Sequence, residues 1–256
     1  ALVIYVADTD NHRIRRVDCI EGYGNTASSV SDEYKTKGCE PTVICWAGRC
    51  GNGSTQASVA PGLADGPGNI ARFDSPRGIE ADADGVVYVA DTNNHLIRAV
   101  NQSGWVFTLA GKVEVQEADE YGNPVPGCPP PCIKGVPGFQ DGNLTNAEFY
   151  YPADVTMGGN WTLFVSDKMR IRRITFPKYY FKLFWEDNRG PQTSKIRGIE
   201  TEGRVVTIAG QRYAGVRDGP GPDSEFMDPE AVSMGKDGIV FILDSGTCRL
   251  RRLMPG

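Results

Sequence analysis

Apolar residues along the chain fall into short blocks separated by turns rich in Gly, Asn and Asp. Blocks such as Val3–Val6, Val86–Ala90 and Val240–Leu243 are dominated by Val, Ile, Tyr and Phe, a composition typical of β-strands. Apolar positions with helical spacing are rare. The pattern therefore predicts an all-β chain built from many short strands.

The predicted unit of strand, polar turn and strand recurs along the chain. Val-Ile-Tyr-Val-Ala-Asp-Thr-Asp-Asn-His-Arg-Ile-Arg begins at Val3, a near copy begins at Val86, and looser copies begin at Leu163 and Val240. Each copy pairs an Asp at the end of its first strand with an Arg in its second: Asp8 with Arg15, Asp91 with Arg98, Asp167 with Arg172, and Asp244 with Arg251. The third copy has a shorter turn. The fourth has Cys248 where the first two have His12 and His95.

A second module precedes the last three copies at constant spacing. An Asp-Gly pair, beginning at Asp65, Asp141 or Asp218, stands eight residues before a Phe; a Pro follows after three more residues, and the signature Asp fifteen residues after the Pro. A third element, Ala-Gly at 47–48, 110–111 and 209–210, ends a β-rich run. Such constant spacing predicts copies of one structural unit.

These motifs resemble the NHL repeat. Tyr-Val-Ala-Asp-Thr-x-Asn-His-x-Ile-Arg is similar to the NHL signature, and the Asp-Gly, Phe-x-x-Pro and Ala-Gly elements are similar to its extended form. The resemblance implies a single β-propeller domain over residues 1–256, with about four blades of four antiparallel strands, the first and last incomplete. It places the blades near 1–47, 65–110, 141–209 and 218–256, with insertions at 18–41, 112–140 and 176–203.

The two ends of the segment predict unfilled strand positions. It opens on a second strand and closes after a third, so the first blade is expected to lack its inner strand and the last its outer one. Because unpaired edges favour strand pairing, we expect the missing strands from chain beyond this segment or from neighbouring subunits. Copies of the chain in a filament or surface coat would fit.

Charge and hydropathy narrow the classes of partner. With 27 basic and 32 acidic side chains the net charge is -5, which gives no global positive field for nucleic acid. Some NHL domains bind RNA on a basic face, so RNA binding stays open as a second alternative function. No apolar run approaches the roughly 20 residues that span a bilayer, and any signal peptide is expected upstream or already removed.

The cysteines and sequons predict an oxidising, extracellular compartment. Local pairs favour disulfides, and Cys248 is left unpaired or intermolecular; the predicted pairs are Cys45–Cys50, Cys128–Cys132 and Cys19–Cys39. Unrelated thiols are the alternative, whereas zinc spacing is absent. N-glycosylation is predicted at Asn52, Asn101, Asn143 and Asn160. Asn52 and Asn143 are expected on one propeller face, and Asn101 and Asn160 on the other. Between two cysteines, Pro129, Pro130 and Pro131 favour a stiff turn open to modification.

The polar residues of the repeat have a structural and a functional interpretation. Asp and Arg in every copy favour a role in folding, with Asp accepting backbone N–H bonds and Arg pairing to it or to a neighbouring blade, over a cation or substrate site. His12 and His95 are predicted as turn residues. Related propellers include zinc-dependent lyases and calcium-dependent lactonases. Two histidines poorly match the former, and Asp82, Glu80, Asp154 and Glu230 could supply the latter.

The sequence therefore predicts a non-enzymatic glycoprotein module, extracellular or at the cell surface. It would bind proteins or glycans and assemble with other chains in adhesion, matrix or a surface filament, with no catalytic residues, metal or other cofactor. A lactonase-like or lyase-like propeller enzyme is the first alternative.

Overall fold

The computed structural model describes residues 2–21, 39–50, 60–116, 132–177 and 203–254. In these ranges the regular elements are strands and short 3-10 turns. The strands are β1 (Leu2–Asp8), β2 (Arg13–Glu21), β3 (Cys39–Ala47), β4 (Pro76–Ala81), β5 (Val87–Asp91), β6 (Leu96–Val100), β7 (Val106–Ala110), β8 (Val113–Gln116), β9 (Cys132–Gly135), β10 (Gly142–Asn143), β11 (Pro152–Gly158), β12 (Thr162–Asp167), β13 (Arg170–Thr175), β14 (Arg204–Gly210), β15 (Pro229–Met234), β16 (Val240–Asp244) and β17 (Arg249–Leu253).

Four antiparallel sheets follow one another as blades, and a small hairpin stands apart. Their strand orders are β1-β2-β3, β4-β5-β6-β7, β11-β12-β13-β14 with β10 added outside β14, and β15-β16-β17. The leading strands lie side by side, β1 against β4, β4 against β11 and β11 against β15. Each later blade begins at the motif Pro, and its second strand ends at the signature Asp. The predicted β-propeller fold class is confirmed.

The predicted insertions contain more strand than the sequence indicated. Strands β2 and β3 continue into 18–41 because their backbones pair as far as Glu21 opposite Cys39. Strands β8 and β9 form a hairpin within 112–140, with Val115 opposite Ile133. Residues 22–38, 117–131 and 178–202 lie outside the described residues.

The core lies between neighbouring blades. Tyr88 of the second blade and Phe149 and Val165 of the third belong to one buried cluster. The Phe of the Phe-x-x-Pro motif is buried in each of its three copies, at Phe73, Phe149 and Phe226. Because each sheet face needs an apolar neighbour, the blades are stabilised mainly by one another.

The inner strands approach closely enough to require a glycine. Gly78 of β4 lies against Asp154 of β11, and a Cβ at position 78 would overlap the backbone of Asp154. At the junction between the third and fourth blades, the carboxylate of Asp154 accepts the Val232 N–H at 2.9 Å. These contacts set the spacing between the first strands of the second, third and fourth blades.

Replacement of this glycine should weaken the junction. We expect Gly78→Ala to lower the free energy of unfolding by about 2 kcal/mol or more, because backbone must move to admit the methyl group. Gly159→Ala is the matched control, since a Cβ there meets nothing within 4 Å. Chemical denaturation would measure both, and equal stability of the two variants would contradict this account of the junction.

Candidate functional site

The signature Arg and Asp form a buried clamp within the second blade. Arg98 is fully buried and donates to Asp91 Oδ2 at 2.7 Å and to Asp65 Oδ1 at 2.6 Å. It also donates to the carbonyl oxygens of Arg72 and Ala64, at 3.1 and 2.9 Å. Its guanidinium carbon lies 5.2 Å from the centre of the Phe73 ring. One side chain thus joins the Asp-Gly and Phe-x-x-Pro elements to the signature Asp.

Both carboxylates of the clamp are held by further donors. Asp91 accepts the Asp74 N–H at 2.8 Å and the Asn94 side chain at 2.9 Å. Asp65 accepts the backbone N–H and the hydroxyl of Thr108 in β7, each at 3.1 Å. The clamp therefore extends from the second strand of the blade to its outer strand.

The same clamp recurs in the next two blades. Arg172 reaches Asp167 at 2.6 Å and Asp141 at 2.8 Å. Arg251 reaches Asp218 at 2.7 Å and Asp244 at 3.5 Å. The guanidinium carbons lie 5.1 Å from the Phe149 ring and 4.3 Å from the Phe226 ring. The Asp-Gly and Phe-x-x-Pro motifs therefore supply the second carboxylate and the aromatic floor of each clamp, roles that their spacing did not reveal.

In the first blade the pair is simpler. Arg15 lies 2.5 Å from Asp8, and its side chain is 38 % exposed. Among the described residues it has a single carboxylate partner. The same signature pair thus occupies a buried and a half-exposed setting within one chain.

Burial and ion pairing have opposite effects on the clamp of the second blade. Burial raises the pKa of Asp91 to about 6, and the opposing pull of the Arg98 guanidinium and of the Asn94 and Asp74 donors limits that rise. Asp65 and Asp91 in turn raise the pKa of Arg98 against its desolvation. Each group thus favours the charged form of its partner, as expected of a paired ion in a dry interior.

The signature histidines link adjacent blades. His12 and His95 have left-handed backbones, with φ of 52° and 58°. The His12 Nδ1 accepts the Ser75 N–H at 3.0 Å, and the His95 Nδ1 accepts the Tyr151 N–H at 3.2 Å. Thr92 adds a bond from its hydroxyl to the Pro152 carbonyl at 2.8 Å. These residues are turn residues, as predicted, but they also hold the first turn of the following blade.

The two divergent repeats treat this link differently. In the third blade Lys168 takes the left-handed position of a two-residue turn, and its Nζ lies 3.1 Å from Asp228 of the fourth blade. In the fourth blade Cys248 takes the position of the histidine, and it is free and exposed. The link is thus electrostatic at one junction.

The carboxylates considered for calcium serve separate purposes. Asp82 accepts the N–H groups of Asp84 and Val86 in its own turn, and Asp154 accepts the Val232 N–H. Burial and the neighbouring Asp154 raise the pKa of Glu80. Among the described residues no group of three or more His, Cys, Asp or Glu side chains could hold a metal ion.

Several arginines of the third strands are engaged by other parts of the chain. Arg16 pairs with Asp18 at 2.6 Å, and Arg170 stacks 4.4 Å from the Phe139 ring centre. Arg98 and Arg172 are buried in their clamps. Arg173, Arg249 and Arg252 of the third strands are exposed, so these arginines are divided between engaged and exposed settings.

A cleft of about 460 Å³ lies where the second, third and fourth blades meet. Its lining includes Arg77, Tyr150, Tyr151, Ala153 and Glu230. These residues flank the motif prolines, on the propeller face that carries the signature turns. We call it the turn-face cleft.

The described sequons lie on a single propeller face. Strand pairing aligns Gly158, Thr162, Thr175, Arg204 and Asn143 across the third blade. The expectation that Asn143 lies opposite Asn160 is therefore wrong, because the Asp-Gly module runs back along β14. Asn101 follows β6, in the turn between the third and fourth strands of the second blade. Strand pairing places this turn at the same end of its blade, because Ala81, Val87, Val100 and Val106 are aligned there.

Two sequons have their hydroxyl turned onto the asparagine. Ser103 Oγ donates to Asn101 Oδ1 at 2.6 Å, and Thr145 Oγ1 to Asn143 Oδ1 at 3.3 Å. Asn160 is exposed at a left-handed turn position. Asn52 lies outside the described residues.

The cysteines follow the local pattern in part. Cys45 and Cys50 form a disulfide, with Cα atoms 5.5 Å apart. Cys132 is disulfide-bonded; its predicted partner Cys128 lies outside the described residues, as do Pro129, Pro130 and Pro131. The backbone register places Cys19 opposite Pro41, so that Cys19 and Cys39 lie on adjacent strands.

The chain is similar to known NHL proteins. The family model for the teneurin NHL domain matches residues 2–121. NHL repeat-containing protein 2 from Bos taurus is 40 % identical over 208 residues, which cover 78 % of this chain and 25 % of that protein. Its Homo sapiens counterpart is 40 % identical over 75 residues, 28 % of this chain and 10 % of that protein. The chain thus spans a quarter or less of these relatives.

A solved structure shares the fold. A protein of unknown function from Bacteroides thetaiotaomicron aligns with a TM-score of 0.54 and 18 % identity, covering 98 % of this chain and 44 % of that one. The strand topology is that of a β-propeller, and the repeat motifs are similar to those of NHL proteins. The family model and these relatives support an NHL-repeat family for this chain.

The clamp predicts a large difference between equivalent arginines. Arg98→Met should cost about 3–5 kcal/mol of folding stability, because it leaves Asp91 buried without its counter-charge. Arg15→Met should cost less than about 1 kcal/mol, since that pair is partly exposed. Urea denaturation of both variants would measure the difference. Similar losses at the two positions would contradict the clamp's importance.

The histidine link predicts sensitivity to acid. Burial, with a contribution from Lys134, lowers the pKa of His95, and Asp74 opposes this. The folded state thus favours the neutral imidazole, so this stabilisation is present above about pH 6.5 and is lost as the pH falls below it. His95→Asn keeps an acceptor at the same position without titrating. Thermal unfolding between pH 7.5 and 5 should show a smaller fall in Tm for the variant than for the unsubstituted chain. An equal fall in the two would contradict a contribution of His95 to the acid sensitivity.

Proposed function

We propose that this chain is a non-enzymatic binding and assembly module of an extracellular, N-glycosylated protein. The family supports a protein-binding propeller, and the extracellular setting rests on the cysteines and sequons. The observation that carries most weight is the placement of Asn101, Asn143 and Asn160 on one face with the Cys45–Cys50 disulfide in the same chain. Disulfides persist in oxidising compartments.

The non-enzymatic part of the proposal rests on the engagement of the repeated polar residues. Catalytic groups need to converge on a substrate with free donors or acceptors. Here the guanidinium groups of Arg98 and Arg172 are paired with the carboxylates of their clamps. The imidazoles of His12 and His95 accept backbone N–H groups of the next blade. The residues that a lyase-like or lactonase-like site would need are dispersed or engaged.

Assembly with other chains is supported by the outer blades. Ile4 and Val43 of the first blade and Leu243 and Leu250 of the fourth are exposed apolar residues. Equivalent faces between the inner blades are buried, so these faces suit packing against further blades or chains.

Secretion should lead to N-glycosylation of the predicted sequons. When the chain is expressed through a eukaryotic secretory pathway, glycopeptide mapping should find occupancy at two or more of Asn52, Asn101, Asn143 and Asn160. Ser103→Ala should remove modification at Asn101, whereas the control Gln102→Ala, which keeps the sequon, should retain it. Disulfide mapping should recover Cys45–Cys50. Unmodified asparagines on secreted material would contradict the extracellular proposal.

A further inference from the structure

The turn-face cleft carries residues that the repeat does not require. The residue after the motif proline is Arg77 in the second blade, Ala153 in the third and Glu230 in the fourth. The proline before it is the same each time. Residues needed to fold a blade recur in every blade. A cation, a small side chain and an anion at one repeat position are therefore not explained by folding of the blade.

The two opposite charges are available to a ligand. Arg77 and Glu230 are exposed, and neither forms a salt bridge or side-chain hydrogen bond with the described part of the chain. At the edge of the cleft Lys168 and Asp228 lie 3.1 Å apart and neutralise each other. The unpaired charges of the cleft are therefore one cation in the second blade and one anion in the fourth, with Ala153 of the third blade between them.

An aromatic wall completes the cleft. Tyr151 is 42 % exposed, and its ring packs edge-on against His95 at 4.5 Å and against Tyr150 at 4.9 Å. Tyr and Arg are enriched at the centres of protein interfaces, where a rigid ring offers apolar area at small entropic cost. A fixed tyrosine beside unpaired charges has the composition of a protein-recognition site.

We propose that the turn-face cleft binds a polypeptide segment that presents an acidic and a basic side chain close together. The acid would pair with Arg77, the base with Glu230, and the intervening chain would lie over Ala153 against Tyr151. A neutral sugar would leave both charges without a counter-charge, so charge complementarity favours a polypeptide. This inference rests on the proposed binding function and names the partner's chemistry.

The position of the cleft agrees with the sequons. Asn101, Asn143 and Asn160 follow or precede strand ends at the opposite face from the signature turns. Glycans attached there would leave the turn-face cleft open. One face would then bear carbohydrate and the other would bind the partner.

A short zwitterionic peptide tests the assignment on the 256-residue chain after secretion. In ligand-observed NMR, acetyl-Asp-Gly-Lys-amide should bind with an affinity about tenfold higher than acetyl-Asn-Gly-Gln-amide, as two exposed ion pairs predict. Arg77→Gln and Glu230→Gln should each reduce this preference. Lys236→Gln and Asp84→Asn, exposed charges on the opposite face, are the matched controls and should preserve it.

The outcomes separate this proposal from the broader one. Equal binding of the two peptides, no binding of either, or a preference that survives both cleft variants would overturn it. Saturable binding of N-acetylchitotriose in the cleft without peptide binding would also overturn it, in favour of a glycan ligand. Glycan and disulfide mapping of the same material is independent of these results. A negative result for peptide binding would therefore overturn the cleft proposal alone, and the mapping would still decide the extracellular proposal.

Discussion

A buried guanidinium between two carboxylates is the interaction on which the blades depend. Arg98 illustrates it: the residue lies in a third strand, and its partners come from the second strand and from a module that precedes the blade. Removing these charges from water is costly, and Asp91 and Asp65 offset that cost at the two terminal nitrogens of Arg98. The buried Nε of Arg98 has no hydrogen-bond partner in the described part of the chain. The geometry therefore specifies one arrangement of segments that are distant in sequence, and apolar burial between blades supplies the stability.

The clamps organise the second, third and fourth blades internally, whereas the signature turns connect one blade to the next. A histidine Nδ1 accepts a backbone N–H at the first two junctions, and Lys168 forms an ion pair at the third. Cys248 stands at the equivalent place in the fourth blade as an exposed thiol. The same fold position thus tolerates different chemistry once the turn itself is satisfied by a left-handed residue.

Repetition also separates structural from functional residues. Side chains that recur in every blade are engaged by the blade itself, which leaves them unable to recognise a ligand. Arg77 and Glu230 occupy equivalent positions, differ in charge and are exposed. The proposed specificity for a ligand therefore rests on these positions. A propeller can in this way keep a rigid scaffold while individual blades vary at the rim of the channel.

The sequence by itself determined the strand class, the repeat and its resemblance to the NHL repeat, because strand periodicity and motif spacing are local properties. It also indicated that Asp91 and Arg98 serve folding. Only the tertiary structure decided that Asp65 completes their clamp, that His95 reaches the following blade, and that Asn143 shares a face with Asn160. Each of these depends on where a segment folds back against a distant strand, and sequence spacing fixes the length of such a segment without fixing its path.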